Sequence, residues 1–207
     1  VNGFWICDLG RYGHRDIDEN RMTALTVKDS GLPEAKAADW DQAIRRLAAE
    51  IKSLAAAGRS SRMAVVLNSF LTNEELDLCR KIFVGSLGLQ NIFFADPRPA
   101  EADGFLLTAD RAPNGRGAAA LGFTPKPPDL DAPAGSTDLL IVFGAHVLEH
   151  VPAEKAADWF KRSGKTYLFA AHSSPLVRAA DVVLPTILPA EKTGSYTNIA
   201  GLTQSFE

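Results

Sequence analysis

Cysteine is scarce in this chain. It occurs twice in 207 residues, at Cys7 and Cys79. Two distant thiols do not build a disulfide framework, so reduced cysteines in a cytoplasmic setting are expected. A surplus of positive charge is also missing: 22 Lys and Arg stand against 25 Asp and Glu, a net charge of −3. Nucleic-acid binding needs the reverse balance, because each neutralised phosphate takes a Lys or Arg. No apolar run approaches the ~18 residues of a membrane helix, and no basic start leads into an apolar stretch. Neither a membrane span nor a signal peptide is therefore expected. The first residue is valine rather than methionine, which points to a processed chain or a piece of a longer one. Walker phosphate loops, G-x-S-x-G elbows and zinc-deaminase signatures are all absent.

What the chain does have is an ordinary globular balance, 46% hydrophobic and 23% charged. Strand and helix patterns alternate along it. Residues 1–30 show little helical periodicity, and "GFWIC" and "MTALTV" read as short extended pieces. From Asp39 a helical stripe begins, with Ala43, Ile44, Leu47, Ala48, Ile51, Leu54 and Ala55 on one face. Asp39 and Gln42 are placed to cap its start and Gly58 to end it. "MAVVLN" reads as a buried strand. "LTNEELDLCRKIFVGSLG" reads as a helix with a Thr72–Glu75 capping box and with Leu76, Cys79, Phe83 and Leu87 inward. That stripe makes Cys79 a core residue rather than a metal ligand, since a buried thiol acts as a small hydrophobe. "NIFF" is a short strand.

Residues 95–136 interrupt this rhythm, holding seven of the twelve prolines. "PKPPDLDAPAG" should be an extended connector. A second run follows: "DLLIVFG" as strand, "PAEKAADWFKRSG" as helix, "TYLFAA" as strand, "SPLVRAA" as a helical turn and "DVVLP" as strand. The expectation is an α/β protein of two small parallel-sheet, Rossmann-like lobes. They span residues 31–124 and 137–207, joined by the connector at 125–136.

Three stretches offer candidate chemistry. The tail "ADVVLPTILPAEKTGSYTNIAGLTQ" ends a strand at Pro185 and continues as a long polar loop. In open α/β sheets ligands sit beyond the carboxyl ends of the strands, so such residues are candidates for binding. The alternative is a loop whose Asn and Thr side chains bond their own backbone. "NGRG" (114–117) follows an expected strand, "FLLTA". Gly115 and Gly117 can bring backbone N–H groups to a phosphate, with Arg116 adding charge; otherwise the stretch is a turn. "HVLEH" (146–150) is a literal H-x-x-E-H, in which His146 and His150 would share zinc and Glu149 would act as base. It lacks a clear third ligand, and Pro152 breaks any long helix, so a surface turn is the competing reading.

The tail resembles a signature of molybdopterin-type oxidoreductases: ADVVLP, an acidic-Lys-x-Gly loop ending in Asn, then a Gly and a final Gln. The opening "WICDLGRYG" resembles the last part of a four-cysteine 4Fe–4S motif, C-x2-C-x3-C followed at a distance by C-D-x-G-R. "WDQAI", "LTNEE" and "DRAPNGRGAAALG" match in order. The last is typical of one branch, the large iron–sulfur subunit of bacterial NADH-quinone oxidoreductase (respiratory complex I). Leu202 stands where the family has Arg. No molybdenum-ligating Cys or Ser occurs in "LGLQNIFFADPRPAEADG".

The resemblance implies that residues 1–30 are the trailing end of an iron–sulfur domain. Cys7 would be one of four cluster ligands in the full-length protein, with Asp8 and Arg11 around it. Four thiolates are needed, so the fragment alone is expected to bind no cluster. The α/β region would be a non-catalytic scaffold, without molybdopterin, that docks other subunits of a cytoplasmic complex peripheral to the inner membrane. If a pterin were retained, as in a formate dehydrogenase-like enzyme, it would lie across Asp110, Asn114, Arg116, Asn198 and Gln204.

Overall fold

A computed structural model describes residues 11–28, 36–37, 39–95, 101–105, 108–144, 148 and 151–207. Cys7, the "GFWIC" stretch, and His146, Glu149 and His150 of "HVLEH" lie outside these residues.

Seven strands form one sheet in the order β2-β1-β7-β6-β5-β3-β4. They are β1 (Thr26–Val27), β2 (Lys36–Ala37), β3 (Met63–Leu67), β4 (Ile92–Phe94), β5 (Leu139–Phe143), β6 (Lys165–Ala170) and β7 (Val182–Pro185). The five strands from β7 to β4 are parallel; β1 and β2 add an antiparallel edge. Beside this sheet stands a hairpin of β8 (Gly194–Thr197) and β9 (Thr203–Phe206).

The parallel core follows from strand composition. "MAVVL" is buried at every position and "LLIVF" at all but its last. A strand apolar on both faces must have helices above and below it. Met63, Val65 and Leu67 face one cluster with Leu139, Ile141 and Tyr167. There they meet α1 (Trp40–Ala56) and α2 (Asn73–Cys79, continued as a π-helical stretch Arg80–Ser86). Ala64 and Val66 face the other cluster with Leu140, Val142 and Leu168. That side is covered by α4 (Ala153–Arg162) and α5 (Pro175–Ala179). A short α3 (Gly115–Ala120) precedes the Pro-rich connector.

The α/β class holds, but the two-lobe division does not describe the sheet. β3, from the expected first lobe, pairs in parallel register with β5, from the expected second, Val65 opposite Ile141. β5, apolar on both faces, suits the interior of a covered sheet, and it takes the edge of β3 that β4 leaves open. The connector does not separate two sheets. It carries the chain back across β3, and Lys126 exchanges backbone hydrogen bonds with Phe94 at the far edge. The Arg162 guanidinium on α4 then donates to the Leu130 and Ala132 carbonyls and fixes the connector's path.

Most local signals are obeyed. Thr72 and Glu75 form the reciprocal capping box, with Glu75 N–H to Thr72 Oγ1 at 3.1 Å and Thr72 N–H to Glu75 Oε2 at 2.8 Å. Leu76, Cys79 and Phe83 are buried as the stripe requires. Gly58, at φ +68°, follows α1 in the left-handed conformation that suits glycine. Asp39 does occupy the cap position of α1, but its side chain makes no capping bond, and Ile44 is exposed. The strand expected over "FLLTA" is not formed at its described residues. Phe105 is 88% exposed and the β4 edge is already taken by Lys126.

Candidate functional site

The order of crossovers puts the site in place. From β3 the chain moves outward to β4, then returns to β5 on the other side and continues to β6 and β7. The direction of winding reverses between β3 and β5. At such a point the loops after adjacent strands part, and a crevice opens at the carboxyl ends. A cavity of about 950 Å³ occupies this position, reached by residues that follow β3, β5, β6 and β7. Asn68, directly after β3, bridges the reversal. Its amide donates to the Phe143 carbonyl at the end of β5, and its Oδ1 accepts from Phe70 N–H at 2.8 Å.

The wall is chiefly apolar. Phe143 and Phe169, ending β5 and in β6, stack with centroids 4.6 Å apart and planes 10° from parallel. Phe83 meets Phe143 edge-on at 6.3 Å. Such pairs add about 0.5–1.5 kcal/mol beyond area burial. Trp40, Leu78, Ile82 and Ile187 surround the opening, each between 41% and 57% exposed. Cys79 also lines the cavity, and burial, helped by the Glu75 charge, pushes its thiol up to about 12. Burial thus keeps the thiol protonated near neutral pH, as expected of a core cysteine.

The tail after β7 is not the open loop that its polar composition suggests. It forms a hairpin docked on the start of α2. Glu74 accepts from Ser195 N–H at 2.9 Å and from Ser195 Oγ at 2.6 Å. Asn73 Nδ2 reaches Ser195 Oγ and Thr197 Oγ1, both at 3.1 Å. Lys192 donates to Glu75 Oε2 at 2.7 Å and to the Phe70 carbonyl at 3.2 Å. Tyr196 OH donates to the same carbonyl at 2.8 Å. Burial alone would raise the Glu74 carboxyl; hydrogen bonds from Ser195, the Glu74 backbone and Thr72 together outweigh it and hold that group below its ordinary value. Gly194 is required for this contact, because a Cβ there would lie 2.6 Å from Thr72 Cγ2.

The residues expected to meet a pterin are placed as follows. Asn114 is fully buried between the α2 loop and the hairpin. Its Nδ2 donates to the Leu71 carbonyl at 2.9 Å and its Oδ1 accepts from Thr197 N–H at 2.8 Å. Asn198 turns inward on its own hairpin, where Oδ1 accepts from Ala200 and Leu202 N–H, both at 3.0 Å. Asp110 accepts from Ala112 N–H at 3.0 Å. Arg116 and Gln204 are exposed. Asn114 thus joins α3 to the hairpin, while Asp110 and Asn198 accept from backbone within their own turns. Gly117 allows close packing rather than phosphate approach: a Cβ would stand 2.0 Å from Asn73 Oδ1 and 2.2 Å from Asn114 Oδ1. With α3 only six residues long, no helix-end anion site is built.

Over 53 residues, 25% of its length, the chain is 43% identical to NADH-quinone oxidoreductase subunit 3 of Thermus thermophilus. The stretch amounts to 6% of that protein, so the chain spans a small part of its relative. No family model matches the chain.

In the cavity, the groups that would hold a molybdopterin dinucleotide are already engaged. Its pyrophosphate needs free donors and cations. Lys192, the one lysine or arginine lining the cavity among the described residues, is committed to Glu75 and Phe70. Asn114 and Asn198 are committed to backbone. Among the described residues, no group of three or more His, Cys, Asp or Glu is placed to hold a metal ion. The zinc reading of "HVLEH" falls outside them.

Sequence reasoning overlooks Asn68, Asn73 and Glu74. In the sequence Asn73 and Glu74 read only as a first helical turn, and their partners lie more than a hundred positions away. Arg21 carries no local signal either. Its bidentate pair with Glu191, at 2.9 and 2.8 Å, ties the N-terminal segment to the tail.

Proposed function

We propose that this chain is part of the large, iron–sulfur-containing subunit of an NADH-quinone oxidoreductase, and that its α/β region is a non-catalytic scaffold. The observation that carries the reading is the 43% identity with subunit 3 of the Thermus thermophilus enzyme over 53 residues. The "WICDLGRYG" and tail motifs support it. The scaffold role is supported by Asn114, which ties the hairpin to the loop before α2.

In the full-length protein Cys7 supplies one of four thiolates to a 4Fe–4S cluster, which carries single electrons. Asp8 and Arg11 shape the hydrogen bonding around that sulfur. The partners are the other subunits of the respiratory complex. The location is the cytoplasmic side of the inner membrane, held there through the complex. No helix among the described residues is long and apolar enough to cross a membrane.

The test uses the full-length protein in its native host. Deleting its gene should abolish NADH–quinone activity in membranes. A Cys7→Ser variant should lose the paramagnetic signal of one reduced cluster. Metal analysis of the purified protein should find iron without molybdenum or tungsten. Stoichiometric molybdenum or tungsten would overturn the scaffold reading in favour of an active pterin enzyme. Unchanged NADH–quinone activity after deletion would overturn membership in the complex.

A further inference from the structure

Asn114 and Gly115 form an Asn-Gly pair at the start of α3. Such a pair is chemically labile. The backbone nitrogen after an asparagine can attack the side-chain Cγ, and a glycine there has no Cβ to obstruct the approach. The attack makes an N–Cγ bond and breaks the Cγ–Nδ2 bond. A succinimide forms, and the glycine amide proton leaves with the ammonia. Water then opens the ring at either carbonyl and gives aspartate or isoaspartate. Water is the only co-reactant.

The fold holds this reaction back. Asn114 is closed to solvent, at 0% exposure. Its Oδ1 accepts from Thr197 N–H at 2.8 Å, and its Nδ2 donates to the Leu71 carbonyl at 2.9 Å. Forming the new bond turns the planar amide tetrahedral and draws both atoms off these partners. One of the two anchors belongs to the β8–β9 hairpin, which is docked through Glu74 on Ser195 and Asn73 on Ser195 and Thr197. The hairpin is a sheet of its own, so it can lift without disturbing the strands of the core. Lifting it removes the Thr197 bond and admits water. The product does not fit back. An aspartate accepts from Thr197 but has no hydrogen for Leu71, and it carries a charge into a closed site. Isoaspartate also lengthens the main chain by a methylene.

We propose that Asn114–Gly115 is a latent deamidation site gated by the docked hairpin, and that its reaction is a one-way latch. Each opening of the hairpin exposes Asn114, and a molecule that reacts while open no longer closes in the native way. This rests on the bonds around Asn114 alone and stands apart from membership in a respiratory complex.

The test ages purified full-length protein in mildly alkaline buffer. Peptide mapping by mass spectrometry reads deamidation at Asn114 separately from that at Asn2, which precedes Gly3. The folded protein should react at Asn114 about tenfold or more slowly than the same protein in urea. Glu74→Ala removes the acceptor for Ser195 and leaves the Asn-Gly pair intact, so it should speed the reaction several-fold. Gly194→Ala should do the same, because its Cβ would press on Thr72 and push the hairpin off α2. Val142→Ala, buried in β5, lowers global stability without touching the hairpin and should speed the reaction less. Asn114→Asp, which is the aspartate product, should exchange its amide hydrogens faster than wild type across residues 194–206. Equal rates in buffer and in urea would overturn the proposal. So would hairpin variants that react no faster than wild type, or an equal rise in Val142→Ala, which would make global unfolding the gate. Unchanged hydrogen exchange in Asn114→Asp would overturn the latch. None of these readouts involves NADH–quinone activity, so this proposal and membership in the complex fail separately.

Discussion

Asn114 carries the sharpest expectation about how the tail is held. Its side chain sits at 0% exposure and satisfies two backbone groups at once, the Leu71 carbonyl at 2.9 Å and Thr197 N–H at 2.8 Å. Asn114→Ala removes both partners in a place closed to solvent. Each buried backbone group left unsatisfied costs about 1–3 kcal/mol, and with partial relaxation the pair should cost roughly 2–5 kcal/mol. For a domain of this size a loss of that order lowers Tm by about 5–15 °C. Thermal unfolding followed by circular dichroism measures it. Asn114→Asp separates the two bonds. At neutral pH its carboxylate still accepts from Thr197 but cannot donate to Leu71, so it should be destabilised as well. Protonation at acid pH restores a donor, and the gap to wild type should then narrow. A Tm within a degree or so of wild type for Asn114→Ala would refute the account, and would return Asn114 to the set of residues available to a ligand.

Gly117→Ala should be destabilising by about 1–3 kcal/mol, the usual cost of overpacking, because its Cβ would collide with Asn73 and Asn114; denaturant melts read the loss. Glu191 is held below the ordinary carboxylate value, chiefly by its hydrogen bonds from Arg21. Its contribution is therefore present above the unfolded-state pKa and disappears as pH falls through the depressed one. The difference in urea midpoint between wild type and Glu191→Gln should accordingly be visible at neutral pH and vanish in acid. The Cys79 thiol, raised to about 12 by burial, should resist Ellman's reagent at pH 8 in a Cys7→Ser background and react promptly once urea unfolds the protein. Prompt reaction of the folded protein would place Cys79 outside the core.

The strands and helices are legible because their signals are local. A five-residue apolar run such as "MAVVL" has few options except a strand covered on both faces. Thr72 and Glu75 are three residues apart, and their capping box needs nothing beyond that spacing. The inward face of α2 is readable for the same reason, and it places Cys79 in the core without reference to the rest of the molecule. The site is less legible. Asn114 and Asn198 stand out as polar residues in promising loops, but polarity does not say whether a side chain faces a ligand or its own backbone.

What the amino-acid order settled alone was the type of the core strands and of the main helices, and the burial of Cys79. These depend on residues a few positions apart. Whether "LLIVF" starts a second sheet or completes the first depends on which strand edge is free when the connector closes, and no local spacing encodes that. The same holds for the clasp of Glu74 on Ser195 and for the pair of Arg21 with Glu191, which join positions 121 and 170 apart. Long-range closure chose those partners. In doing so it turned a tail that reads as a binding loop into a hairpin tied to α2, and left the open space over the ends of the strands.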